Sequence, residues 1–415
     1  MQEKKESTLS IYEHKKYNTI IFLISIPLTT RDVNRFGFEI LKKHGFYVKI
    51  YDFSDLINRK VLFKNSVVSE ATNYHICKIN SYKSLTEELE KDVSHSIFVD
   101  MIVGLSEFSL SNEEIFRIFK RYGIKYCIVS AGNLPPMLPP DSFKYWSNRL
   151  KSALNPRLLS NFLAANITSF LRMHSSIYPL PEIIFSADSE VKSYYIKKYK
   201  IQQNKIIPIN SFDYDIYLQY LNQNNSKYLS DYEYCVFLDE AATHHPDFDI
   251  MGIKHIDENR YYSSMNKLFD IIEKEAGFKV IIAAHPRSKY EQTPDVFGKR
   301  EIIKGKTIEL VANSSLVVAH SSTSINFAVL FNKPILIVKT SDLQKRGNLD
   351  FTDTMASALG LKSINVDEDS LNNISFRPDS GLDTKYEDYI YKYVKSRNAG
   401  DFFTWEIVAR AIEKK

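Results

Sequence analysis

Two apolar runs, VIIAA at 280–284 and LVVA at 316–319, each stop abruptly at a polar cluster. His285-Pro286-Arg287 follows the first, and His320-Ser321-Ser322-Thr323-Ser324 follows the second. Short apolar runs without polar alternation fit strands covered on both faces, as in parallel sheets. A helical pattern after each cluster predicts strand–helix alternation, with the two runs as neighbouring strands of one α/β sheet. In such sheets ligands sit beyond the carboxyl ends of the strands. Both clusters fall at that edge, so chemistry is expected between residues 279 and 334.

The same alternation extends over most of the chain, and its 415 residues exceed what a single core usually serves. Residues 18–26 read as a buried strand, followed by a helix through Lys43 that Gly45 ends, and then a second strand at 46–53. Further strands are expected at 94–103, 125–130, 182–187 and 205–209. The polar, Asn-rich LNQNNSKYLSDYE reads as a linker. Beyond it a second series begins at 234–238 and passes through the two runs described above to strands at 334–338 and 363–366. Residues 1–225 are thus expected to form one Rossmann-like domain and 226–385 a second facing it across a cleft. Helices within 386–415 are expected to pack back toward the first. The opening strand–helix–strand lacks a Gly-x-Gly-x-x-Gly fingerprint, which argues against a dinucleotide cofactor.

Composition narrows the function classes. A net charge of +4, spread along the chain, is too weak to argue for nucleic-acid binding. Cys77, Cys127 and Cys235 are far apart and follow neither a disulfide nor a metal pattern. No stretch approaches the ~18 apolar residues of a membrane span, and the polar start does not read as a signal peptide. The expectation is a cytoplasmic protein. The segment 143–173 mixes Lys144, Arg149, Lys151, Arg157 and Arg172 with Trp146, Leu150, Leu154, Phe162 and Phe170. It reads either as a packed helix with a basic side or as a peripheral contact with the inner face of the membrane.

Four constellations carry the candidate chemistry. Ser321, Ser322, Thr323 and Ser324 offer hydroxyls and backbone N–H groups to an anion, although helix capping uses the same residue types. With His320 before them, they are candidate contacts for the phosphate of a nucleotide sugar. His285, followed by Pro286 and Arg287, could hold that phosphate and stabilise or protonate the leaving group. In FLDEAATHHPD (237–247), Asp239 and Glu240 occupy a strand tip with His244 and His245 close behind. Asp239 is a catalytic candidate, Glu240 a donor contact and His245 an acceptor contact. The spacing is not a zinc signature, and no metal is expected. After the first strand, Asp32 is a candidate base for an acceptor hydroxyl, with Thr30 and Arg31 as acceptor contacts. The plainer role for Asp32 is a helix cap.

The two-domain layout resembles that of GT-B glycosyltransferases. His285-Pro286 and Ser321-Ser322-Thr323 resemble the HP and Ser-Ser/Thr motifs of bacterial sialyltransferases and polysialyltransferases, whose donors are CMP-sugars. The resemblance implies that both motifs contact the CMP portion and that the histidine matters for catalysis. Those families take their base from an acidic-acidic-Gly motif in the N-terminal domain. Here Asp239-Glu240 is followed by Ala241 and lies in the second domain. The second domain is also similar to bacterial surface-polysaccharide biosynthesis proteins. The resulting expectation is an inverting, metal-independent glycosyltransferase without a resident cofactor. It would move a sugar, CMP-sialic acid-like or Kdo-like in its donor form, to a growing capsule or lipopolysaccharide glycan or a lipid-linked acceptor. The alternatives are a non-hydrolysing sugar-nucleotide 2-epimerase, a polyol-phosphate transferase using a CDP-linked donor, and a non-catalytic assembly partner.

Overall fold

The computed structural model describes residues 16–57, 74–102, 110–132, 135, 179–187, 196, 200–223, 232–244, 255–345, 351–371, 374, 376 and 383–415. The chain divides into two compact units. The first comprises Met1–Ala131, Ser152–Phe212 and Ser396–Lys415; the second comprises Gly132–Lys151 and Asp213–Lys395. The segment expected to touch a membrane, 143–173, lies outside the described residues, as does most of the expected linker.

In the first unit seven described strands form one sheet: β1 (Thr19–Ile24), β2 (Tyr47–Asp52), β3 (His75–Lys78), β4 (Ser96–Asp100), β5 (Tyr126–Ser130), β6 (Ile183–Ser186) and β7 (Ile206–Pro208). Their order is β3-β2-β1-β4-β5-β6-β7, with every pairing parallel. The central strand β1 shows why an unbroken apolar run is needed. Ile20, Phe22 and Ile24 enter one core while Ile21 and Leu23 enter the other. The helix expected through Lys43 is split into Thr30–Arg35 and Phe38–Lys43. At the break Gly37 takes a φ of +56°, and a Cβ there would meet Trp405 at 2.3 Å. Only glycine admits the indole so closely.

Trp405 belongs to the last helix, Thr404–Glu413, which therefore packs into the first unit's core, as expected of the C-terminal segment. Its indole N–H donates to the Arg35 carbonyl at 2.6 Å. Asn210, fully buried, ties the same segment down: its amide donates to the carbonyls of Gly400 and Phe402, and its carbonyl oxygen accepts from the Ser396 N–H.

The second unit's described strands are β8 (Tyr234–Leu238), β9 (Lys279–Ala284), β10 (Glu301–Lys304), β11 (Leu316–Ala319), β12 (Ile335–Lys339) and β13 (Ile364–Asn365). They run parallel in the order β10-β9-β8-β11-β12-β13. Here too the apolar runs feed two cores: Val236 and Leu238 go to one face and Cys235 and Phe237 to the other.

Two expectations need correction. The runs ending at Ala284 and Ala319 are not neighbours, because β8 lies between them and pairs with both. No helix follows the first cluster; turns and a single 3-10 turn at Tyr290–Gln292 lead straight into β10. Pro294 and Gly298 interrupt any helix there, and the turns instead set Tyr290 and Phe297 into the core with Phe237 and Phe269. The helix expected after the second cluster is present at Ile325–Leu330.

Candidate functional site

Strand order in the second unit reverses between β8 and β11: β9 and β10 extend to one side of β8, β12 and β13 to the far side of β11. In open parallel sheets such a reversal leaves a crevice at the carboxyl edge, where ligands bind. Three of the four constellations end on this edge. His285 follows β9, Asp239 and Glu240 follow β8, and His320 through Ser324 follow β11.

The two acids stitch the edge together. Asp239 is 4% exposed, and its Oδ1 accepts from the Ala241 N–H at 2.9 Å while its Oδ2 accepts from the His285 N–H at 3.1 Å. Tyr290 also hydrogen-bonds to it. Burial pushes the Asp239 carboxyl above its usual range, against these donors, which pull it down. Glu240 reaches the other way: its Oε1 accepts from the Ser321 N–H at 2.6 Å, and the Ser321 hydroxyl lies 3.4 Å from Oε2. Part of Glu240 remains exposed, but protein atoms crowd its carboxylate. That desolvation, helped by the charge of Asp239, raises it to about 7. Ala241 then takes a φ of +49°, a left-handed conformation costly for a residue with a Cβ. A strained turn carrying two adjacent acids is a common mark of a functional loop.

His285 is partly buried, and its Nδ1 accepts from the Arg287 N–H at 3.2 Å. In the neutral ring the proton therefore resides on Nε2, the form that can donate to a phosphate oxygen. Pro286 and Arg287 are exposed. His320 behaves differently. It is 2% exposed, its Nδ1 faces the Val338 carbonyl at 2.6 Å and its Nε2 faces the Tyr261 hydroxyl at 2.9 Å. A carbonyl can only accept, so Nδ1 carries the proton and Nε2 accepts from tyrosine. Burial lowers the His320 pKa to about 4 and keeps the ring neutral. Both ring nitrogens are engaged within the protein, and what His320 visibly does is fix the end of β11.

Ser321, Ser322, Thr323 and Ser324 are all partly exposed. The Ser322 hydroxyl accepts from the Ser324 N–H at 3.2 Å, and the Ser324 side chain makes no cap bond to the helix it precedes. The cluster is thus not used up by capping. His244 pairs through Nε2 with Glu258, away from Asp239. His245 lies outside the described residues.

In the first unit Thr30 and Arg31 open the helix Thr30–Arg35, and Asp32 closes its capping box: Oδ2 accepts from the Thr29 N–H at 3.0 Å and from the Thr29 hydroxyl at 2.7 Å. Among the described residues no three His, Cys, Asp or Glu side chains group as metal ligands, and no helix is long and apolar enough to cross a membrane.

Sequence reasoning did not foresee the contribution of Tyr290 or Tyr261. Neither belongs to a motif, and each reaches the site through packing of an element that the periodicity left blank or read only as helix.

No protein-family model matches this chain, and no curated protein matches it in sequence. Solved structures do. The glycotransferase of kitacinnamycin superposes with a TM-score of 0.52 at 9% identity, covering 96% of this chain and 99% of that one. The S. aureus MnaA–UDP structure gives 0.50 at 12%, with 94% and 95% covered. A UDP-GlcNAc 2-epimerase from Neisseria meningitidis bound to UDP-GlcNAc gives 0.49 at 12%, with 96% and 100% covered. The likeness to the first two, spanning nearly the whole of each chain, establishes a two-domain, GT-B-like α/β fold.

Proposed function

We propose that the protein is a glycosyltransferase that moves a sugar from a nucleotide-sugar donor to a surface glycan or lipid-linked acceptor. The observation that carries this reading is the carboxyl edge at β8/β11, where an imidazole, two carboxylates and a hydroxyl cluster meet at a strand-order reversal. The fold is shared with a glycotransferase and with a protein solved with UDP, which supports a nucleotide-linked donor.

In this reading Ser321, Ser322, Thr323 and Ser324 hold the donor phosphate through their hydroxyls, and Arg287 adds positive charge. His285 donates from Nε2 to the phosphate as the glycosidic bond breaks, stabilising the leaving group. Asp239 sets the His285 backbone, and Glu240 lies where it can orient donor hydroxyls. The reaction inverts the anomeric carbon and needs no resident metal, because imidazole and hydroxyls answer the developing charge. The His-Pro and Ser-Ser-Thr pairing favours a CMP-linked acidic sugar of the sialic acid or Kdo kind, used in capsule or lipopolysaccharide assembly from the cytoplasmic side.

The test is to incubate the full chain with CMP-, UDP- and GDP-sugars and follow donor loss and product by NMR. The expected result is release of a nucleotide from one donor class, with the sugar freed or transferred. Conversion of UDP-N-acetylhexosamine into its 2-epimer without acceptor would replace this reading with the isomerase. Phosphate retained in the transferred group would replace it with polyol-phosphate transfer from a CDP-linked donor.

A further inference from the structure

The first unit has its own reversal of strand order, between β1 and β4. The register aligns Leu23 with Asp100, so Asp100 ends β4 beside the end of β1. Three aspartates at strand ends build the same turn. In each, Oδ1 accepts the N–H two residues on: Ser54 for Asp52 at 2.9 Å, Ile102 for Asp100 at 3.0 Å, and Ala241 for Asp239 at 2.9 Å. Such a bond fixes the side chain in one orientation.

Their surroundings differ. Asp52 is 2% exposed, sits on β2 rather than at the reversal, and its Oδ2 holds the Lys78 ammonium at 2.5 Å. Asp239 is buried and holds the His285 backbone. Asp100 is the member of the set that keeps exposed surface, and it stands at the reversal of its own sheet. Asp32, by contrast, sits within a helix with Oδ2 committed to Thr29.

We propose that Asp100 is the general base of the transfer, a role that rests on the glycosyltransferase reading above. The acceptor hydroxyl gives its proton to the Asp100 carboxylate as its oxygen forms a bond to the anomeric carbon. The bond from that carbon to the donor phosphate breaks, and the phosphate leaves with the electron pair. A base must be held in one geometry and be reachable by substrate. The turn to Ile102 meets the first demand, and the exposed surface of Asp100 meets the second.

Asp100→Asn keeps an acceptor for the Ile102 N–H and removes the basic oxygen. In the full chain, donor turnover and its pH profile are measured beside the nucleotide dissociation constant from calorimetry. The expected result is turnover at least ~100-fold lower, loss of the acidic limb of the profile, and an unchanged nucleotide constant. Asp32→Asn should keep turnover within about threefold of wild type while lowering the unfolding midpoint, as loss of a cap does. Turnover of Asp100→Asn within about threefold of wild type overturns the assignment. So does joint loss of turnover and nucleotide binding, which marks a structural role, and so does a larger loss in Asp32→Asn. If wild type neither binds nor consumes any of the three donor classes, the glycosyltransferase reading itself fails and this assignment falls with it.

Discussion

The two strand-order reversals share a topology and differ in how their ends are wired. At β8/β11 the acids reach sideways: Asp239 bonds to the residue after β9 and Glu240 to the residue after β11, so three strand ends are tied by side chains. At β1/β4 the bond that fixes Asp100 is local, to Ile102, and the lateral acid bond in that sheet, Asp52 to Lys78, lies one strand outward. A parallel fold thus supplies the same opening twice, and the first few residues past each strand decide its use. The second unit spends its acids on a stiff, desolvated edge suited to gripping an anion with donors it has already oriented. The first keeps a single carboxylate fixed but accessible.

The contrast breaks most easily on stability. Asp239→Ala leaves the N–H groups of His285 and Ala241 and the Tyr290 hydroxyl without their acceptor, and should cost about 3 kcal/mol in urea unfolding of the second unit's transition. Asp100→Asn, at a partly exposed site with its turn bond kept, should cost under about 1 kcal/mol. Equal costs would erase the distinction.

The buried histidine gives the next effect. His320 titrates at about 4 in the folded chain, below its ordinary 6.5. Its contribution to stability is therefore full above pH 6.5 and is lost as pH falls through about 4, amounting to roughly 3 kcal/mol at most. Its ring protons in NMR should show no titration above about pH 5, whereas titration near 6.5 would mean the ring is not buried as described.

Glu240 carries the opposite sign. Its carboxyl, ordinarily at 4.5, titrates at about 7 when folded, so the stability it supports is full below pH 4.5 and lost as pH rises through 7. Glu240→Gln should remove that slope and be more stable than wild type by about 2 kcal/mol at pH 8, allowing for the part of the side chain that solvent screens. A wild-type stability curve without a slope between pH 5 and 8 attributable to Glu240 would show the edge to be less desolvated than its geometry implies. The smallest expected effect is none: EDTA should leave donor turnover unchanged, and its abolition would replace imidazole and hydroxyls with a metal at the leaving group.

Strands β1, β8, β9, β11 and β12 were legible because both faces are covered, which forces unbroken apolar runs. The edge strands β3 (HICK) and β10 (EIIK) were not, since a short strand with exposed ends carries no such run. The residues of the second unit's edge were legible as polar clusters, but their arrangement was not. Strand order depends on which way each crossover turns, so β8 coming between β9 and β11 has no local signature. The break at Gly37 answers an indole that lies far along the chain at Trp405, and Glu240 meets Ser321 across 81 residues. Local pattern cannot hold contacts of that range.

The central claim is that the β8/β11 edge handles the leaving group of a nucleotide sugar. It is tested most directly by kcat for donor turnover in wild type and in His285→Ala, with circular dichroism confirming that both are folded. The account predicts that wild type consumes one nucleotide-sugar class and that His285→Ala does so at least ~100-fold more slowly. Equal rates in the two folded proteins would contradict it.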